Sequence, residues 1–268
     1  MMMVEVARDG GRLAVEVEGD GPVVVCIPGM GEVRAAFRHL VAPLVAGGYR
    51  VATMDLRGHG DSSVEFERYD DEALAGDIVA VIEALGGGAA TVVGNSMGAA
   101  GGVLAAAERP DVVSRLVLIG PFVRDHGSAL SRVAMRAALL RPWGPAVWRS
   151  YYTSLFGEQT QPDHERHVAA ALDALRRPGR WAAFARTART SHAPAEAALP
   201  RVSVPTLVVM GDRDRDFKDP EAEASRIAQA LQGRDHVVAG AGHYPMAEQP
   251  RAVLDAVLPF LAEEPARG

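Results

Sequence analysis

Lysine is almost missing from this chain of 268 residues: Lys218 stands alone, and arginine supplies every other basic side chain. The net charge is −6, so the basic clustering that a nucleic-acid surface needs is not there. Cysteine is equally scarce. Cys26 is the single one and lies inside the apolar run PVVVCI, which excludes an internal disulfide and reads as a small buried hydrophobe, not a nucleophile. No apolar stretch approaches the roughly 20 residues of a membrane helix. The N-terminal MMMVEVARDGG lacks a basic segment followed by an apolar run, so it does not read as a signal peptide. These absences predict a cytoplasmic protein that binds neither nucleic acid nor membrane. What is plentiful is core: 48% of the residues are hydrophobic and 23% charged, ordinary for a globular domain. The length suits one large domain, or a domain carrying an insertion.

Strand-like and helix-like segments take turns along the chain. Val4 to Val17 alternates as a hairpin turning near Asp9-Gly10-Gly11. Strands are expected at Val23–Ile27, Tyr49–Met54, Thr91–Gly94, Leu116–Ile119, Thr206–Met210 and His236–Ala239. Helices are expected at Val33–Ala46, Glu72–Leu85, Met97–Glu108, Pro220–Leu231 and Arg251–Leu261. Such alternation predicts an α/β protein with a mostly parallel sheet covered on both faces, a doubly wound arrangement.

Residues 121–200 break the pattern. The segments SALSRVAMRAALL, HERHVAAALDALRR and RWAAFARTAR read as helices, and no convincing strand occurs among them. Phe122, Trp143, Trp148, Tyr151, Tyr152, Phe156, Trp181 and Phe184 make up more than half of the chain's aromatics. We read residues 121–200 as a helical cap inserted into a core formed by residues 1–120 and 201–268. Trp143, Trp148, Tyr152 and Trp181, with Tyr244 from the core, are the expected pocket residues; the alternative is that the cap aromatics only form the cap's own core.

One short stretch carries most of the chemistry. Gly94-Asn95-Ser96-Met97-Gly98 fits Gly-x-Ser-x-Gly and stands between an expected strand and an expected helix, the context this motif requires. The sharp turn forces the serine into a strained backbone and leaves no room for side chains at the flanking positions. It lifts the hydroxyl to a helix N-terminus, where backbone N–H groups favour negative charge. A serine needs a base, in turn oriented by a carboxylate, in chain order Ser, Asp or Glu, His. His243, in the glycine-rich AGAGHYPMAEQP, can reach the sheet's carboxyl edge. His164 and His167 lack the His-Glu-x-x-His zinc spacing and read as a solvated helix face. His39 falls within an expected helix. Four aspartates, Asp212, Asp214, Asp216 and Asp219, follow the strand ending at Met210, and the residues alone do not choose among them.

The motifs CIPGMG, MDLRGHGDSS, GNSMG, VPTLVVMGDRD and GAGHYPMAEQP together resemble the α/β-hydrolase family over nearly the whole chain. The resemblance implies Ser96 as nucleophile, His243 as base and, three residues after Gly211, Asp214 as its acid. It also implies an oxyanion hole from the backbone N–H groups of Met97 and Met30, with Pro28 replacing the family's usual histidine before Gly29. No metal or other cofactor is called for. The expected partner is a small-to-medium hydrophobic molecule, with carboxylic-ester hydrolysis as the leading activity; the sequence leaves monomer and homodimer open. GNSMG with the later LIGP also resembles hydrolases of carbon–carbon bonds in ring-fission products, although IPGMGEVR and Tyr244 depart from that group. A receptor that keeps the triad is a third reading. A neutral histidine base predicts turnover rising within about a unit of the ~6.5 reference.

Overall fold

The computed structural model describes residues 1–86, 88–126 and 129–263. Ser128, which opens the SALSRVAMRAALL pattern, lies outside them. Eight strands form one sheet: β1 (Met2–Arg8), β2 (Gly11–Glu18), β3 (Val23–Ile27), β4 (Arg50–Met54), β5 (Ala90–Asn95), β6 (Val113–Ile119), β7 (Thr206–Gly211) and β8 (Arg234–Val238). Their spatial order is β1-β2-β4-β3-β5-β6-β7-β8. The β1–β2 and β2–β4 pairs are antiparallel, and all later pairs are parallel. β3 and β5 are buried at every residue. That is why they read as unbroken apolar runs: both faces are covered, by helices on either side.

The core helices are α1 (Arg38–Ala46), α2 (Asp71–Leu85), α3 (Met97–Glu108), α9 (Pro220–Ala230), α10 (Pro245–Glu248) and α11 (Pro250–Ala262). Between β6 and β7 lie only helices among the described residues: α4 (Ala129–Ala138), α5 (Gly144–Ser154), α6 (His164–Ala174), α7 (Arg180–Thr187) and α8 (Ala193–Ala198). Local chemistry explains the boundaries. Asp70 caps α2 by accepting from the Ala73 N–H at 2.9 Å, and Gly86 ends it at φ 67°. The helix expected from Val33 starts instead as a 3₁₀ turn, Arg34–Phe37. The Arg34 N–H donates to Asp55 at 2.7 Å, which fixes the entry to that turn. β6 begins three residues before its expected start, because Ser114 and Arg115 are half-buried positions that interrupt the apolar run while the backbone still pairs. No described helix is long and apolar enough to cross a membrane.

Two large apolar clusters fill the two sides of the sheet. One joins β1 and β2 to α2, α3 and α8; the other joins α1 and α11 to the aromatic residues of α5 and α7. Cys26 lies fully buried in the second, and that burial pushes its thiol up to about 12. Burial and a raised thiol pKa are both features of a structural cysteine, not of a nucleophile.

Candidate active site

Ser96 follows the last residue of β5 and precedes the first residue of α3, with φ 54° and ψ −120°. A residue with a side chain holds a positive φ only where its surroundings over-determine it. Here they do. A methyl group on Gly94 would strike the backbone of Gly98, and one on Gly98 would strike the carbonyl oxygens of Ile27 and Pro28. The Ser96 N–H donates to Ile119 at 3.0 Å, and its carbonyl accepts from Phe122 N–H at 3.2 Å. The side-chain amide of Asn95, fully buried, donates to the carbonyls of Ile119 and His243 at 3.0 and 3.2 Å. The serine turn, the end of β6 and the histidine loop are therefore tied together by backbone groups and the Asn95 side chain.

His243 sits on the loop between β8 and α10. Its N–H donates to the Leu155 carbonyl at 2.8 Å. Buried Glu248 accepts from the N–H groups of Gly157, Gly242 and Tyr244 at 2.6, 3.0 and 3.1 Å. On the ring, Nδ1 donates to Asp214 Oδ2 at 2.7 Å, which leaves Nε2 as the free ring nitrogen. Asp216 Oδ2 approaches the same Nδ1 at 3.8 Å. Burial works against the imidazolium, but the Asp214 carboxylate, followed by Asp216 and Glu248, outweighs it and raises His243 to about 9. This lies above the ordinary histidine value expected from the sequence, chiefly because the Asp214 carboxylate is buried against the ring, with Asp216 adding to it. Asp212, by contrast, accepts from the Gly240 N–H at 2.6 Å, and Asp219 caps α9 through the Ala222 N–H at 3.0 Å. Of the four aspartates in the loop, two meet the histidine and two brace backbone.

Ser96 and His243 line one cavity of about 110 Å³ together with Met30, Met97, Phe122, Trp148, Tyr151, Leu155, Thr187, Ala188, Thr190, His192, Asp216 and Tyr244. Met97 is the first residue of α3, so its N–H has no acceptor within the helix. Of the residues expected on the pocket wall, Trp148 and Tyr244 are there. Trp143, Tyr152 and Trp181 are not. Trp143 is 53% exposed, its indole N–H donating to Ala137 at 3.2 Å. Trp181 donates to Leu139 and borders a separate cleft of about 330 Å³, which also touches Trp148. Tyr152 is fully buried behind the wall, with ring centres 6.0 Å from Trp148 and 5.7 Å from Tyr244.

The reading of His164 and His167 as a solvated face is also corrected. His167 is buried and its Nε2 lies 2.7 Å from Glu32 Oε2, while His164 packs edge-on against Phe156 at 4.4 Å. Glu32, with no exposed surface, also accepts from the Tyr152 hydroxyl at 2.9 Å. It stands two residues after Met30, so the loop holding Met30 is fastened to α5 and α6. A second pair joins buried Asp71 to His192, a half-buried residue of the cavity wall, at 2.7 Å. A sequence shows such residues only as isolated letters. Among the described residues, Asp214, Asp216 and His243 are the grouping whose ligand atoms, all within 4.8 Å, could hold a metal ion. Their hydrogen bonding equally suits the orienting of an imidazole.

Comparison with known proteins bears on the family and the fold. Residues 24–256 match the model of the alpha/beta hydrolase family. The chain is 29% identical over 262 residues to a 2-(acetamidomethylene)succinate hydrolase of Mesorhizobium japonicum, spanning 94% of this chain and 93% of that one. The enol-lactonase from Burkholderia xenovorans superposes with a TM-score of 0.82 at 25% identity, covering 97% of this chain and all of the other. A thermophilic esterase from Thermogutta terrifontis gives 0.80 at 26% identity over 97% and 98%. The fold, the serine turn after β5 and the match over most of the length lead to one conclusion: this chain belongs to the alpha/beta hydrolase family.

Proposed function

We propose that the protein is a serine hydrolase cleaving small-to-medium hydrophobic carboxylic esters, or related acyl compounds, through an acyl-enzyme. The observation that carries the reading is the serine on a positive-φ turn, sharing a cavity with a histidine whose other ring nitrogen is held 2.7 Å from a buried aspartate. The relatives named for hydrolysis of a succinate derivative, an enol-lactone and esters support acyl chemistry.

His243 Nε2 takes the Ser96 proton as the hydroxyl oxygen attacks the acyl carbon. Asp214 keeps the imidazole in the tautomer that presents Nε2 and stabilises the cation that forms. The N–H groups of Met30 and Met97 receive the oxyanion, each worth roughly 3–4 kcal/mol in the transition state. The leaving alcohol takes its proton from His243, and water activated by the same ring releases the acid and restores the serine. A cavity of about 110 Å³ walled by Phe122, Trp148, Leu155 and Tyr244 favours compact apolar acyl groups over bulky glycerides or polymers.

A fluorophosphonate probe tests the assignment. It labels Ser96, and Ser96→Ala loses the label while keeping its fold. Recovery of the label on another serine would overturn the mechanism. A panel of p-nitrophenyl esters of increasing acyl length, run beside a ring-fission diketone, then separates ester from carbon–carbon cleavage; turnover of the diketone alone would overturn the ester reading.

A further inference from the structure

Asp216 has no part in the mechanism above, yet it occupies a telling place. Its side chain is 10% exposed and lines the cavity with Ser96 and His243. Its N–H donates to Asp214 Oδ1 at 3.1 Å, so the two aspartates share one turn. Its Oδ1 accepts from the Tyr151 hydroxyl of α5, a wall residue of the same cavity. Burial raises the Asp216 carboxyl above its ordinary value, while the His243 ring, 3.8 Å away, and the hydrogen bond from Tyr151 work the other way and favour the charged form.

The other charges facing the cavity do not cancel it. Asp214 answers His243 directly. His192 has its Nδ1 committed to buried Asp71. Among the described residues, no arginine or lysine lines the cavity. Negative charge is therefore in excess along this wall of the cavity.

Building on the acyl-transfer reading, we propose that Asp216, clamped by Tyr151, is a specificity-determining residue that restricts the site to uncharged acyl groups and rejects those bearing a carboxylate. Coulomb repulsion between two carboxylates a few ångströms apart in a site of low effective dielectric lowers kcat/KM by about 10- to 100-fold.

The test compares phenyl butyrate with phenyl hemisuccinate, which share an alcohol and a four-carbon acyl chain and differ by a terminal carboxylate. The wild-type enzyme prefers the butyrate by that factor, and Asp216→Asn reduces the preference about ten-fold. Tyr151→Phe, which keeps the carboxylate but removes one of the two groups that favour its charge, retains most of it. Equal kcat/KM for the two esters in the wild type overturns the proposal, and this comparison needs no variant to fold. An undiminished preference in Asp216→Asn overturns it as well. A loss in Tyr151→Phe as large as in Asp216→Asn assigns selectivity to wall shape and also overturns it. Failure of both esters, with no probe label on Ser96, refutes the acyl-transfer reading itself and is distinct from these outcomes.

Discussion

Removing the hydroxyl of Tyr152 should damage both stability and turnover, although that side chain lies outside the cavity. Glu32 is fully buried and accepts from Tyr152, from His167 and, at 3.3 Å, from the Val33 N–H. A hydrogen bond to a charged group contributes about 1.5–3 kcal/mol, so Tyr152→Phe should cost an amount in that range. His167→Ala should cost at least as much, because it removes another hydrogen bond to the same buried side chain and leaves a void beside it. The double variant should fall short of the sum, with a coupling of about 0.5–3 kcal/mol, since both side chains serve one acceptor. Urea denaturation of the four proteins measures the cycle. Ester kinetics on the folded variants measure the second consequence. Met30 lies two residues before Glu32, so a loosened loop should lower kcat more than it raises KM. A cost below about 0.5 kcal/mol for Tyr152→Phe, within the range of an ordinary surface change, would refute the energetic argument. Full destabilisation with unchanged kcat would refute the proposed oxyanion role of the loop that holds Met30.

Trp148 borders both the 110 Å³ cavity and the 330 Å³ cleft. Trp148→Ala should therefore join them and shift the preferred acyl chain to a longer one, at a cost of about 3–5 kcal/mol in stability; an unchanged length profile on the p-nitrophenyl panel would sink the idea. The pH profile of kcat/KM should rise toward the value of about 9 that the carboxylates impose on His243, and a limb near ~6.5 would contradict it. Stability should follow the same group. Because the folded value lies above the unfolded one, the contribution is complete below about 6.5 and is lost as the pH rises through about 9. Denaturation midpoints that do not fall across that window, relative to His243→Gln, would refute it.

The features legible in the sequence are those enforced by consecutive residues. Apolar runs such as Val23–Ile27 announce buried strands because both faces of a parallel strand are covered. Gly94-Asn95-Ser96-Met97-Gly98 announces its own turn because the motif is contiguous and Gly94 clashes within it, although the clash at Gly98 is with Ile27 and Pro28 at the end of β3. The Asp214 choice rested on family resemblance, since spacing alone left four aspartates open. Strand order, with β4 between β2 and β3, was not legible, because it depends on how separate segments pack. The same holds for the aromatics. Trp148, Tyr151 and Tyr152 lie within five consecutive residues of α5, yet two face the cavity and the third reaches back to Glu32. Which does which is decided by partners some 120 residues away in the chain. His167 reads as a surface histidine until the fold brings it against Glu32, 135 positions earlier. Asp216 reads as one acid in a charged loop until α5 supplies the Tyr151 hydroxyl. Steric requirements between neighbours are written locally, whereas the burial and charge of a polar side chain are properties of everything packed around it, and only the tertiary structure assembles that surrounding.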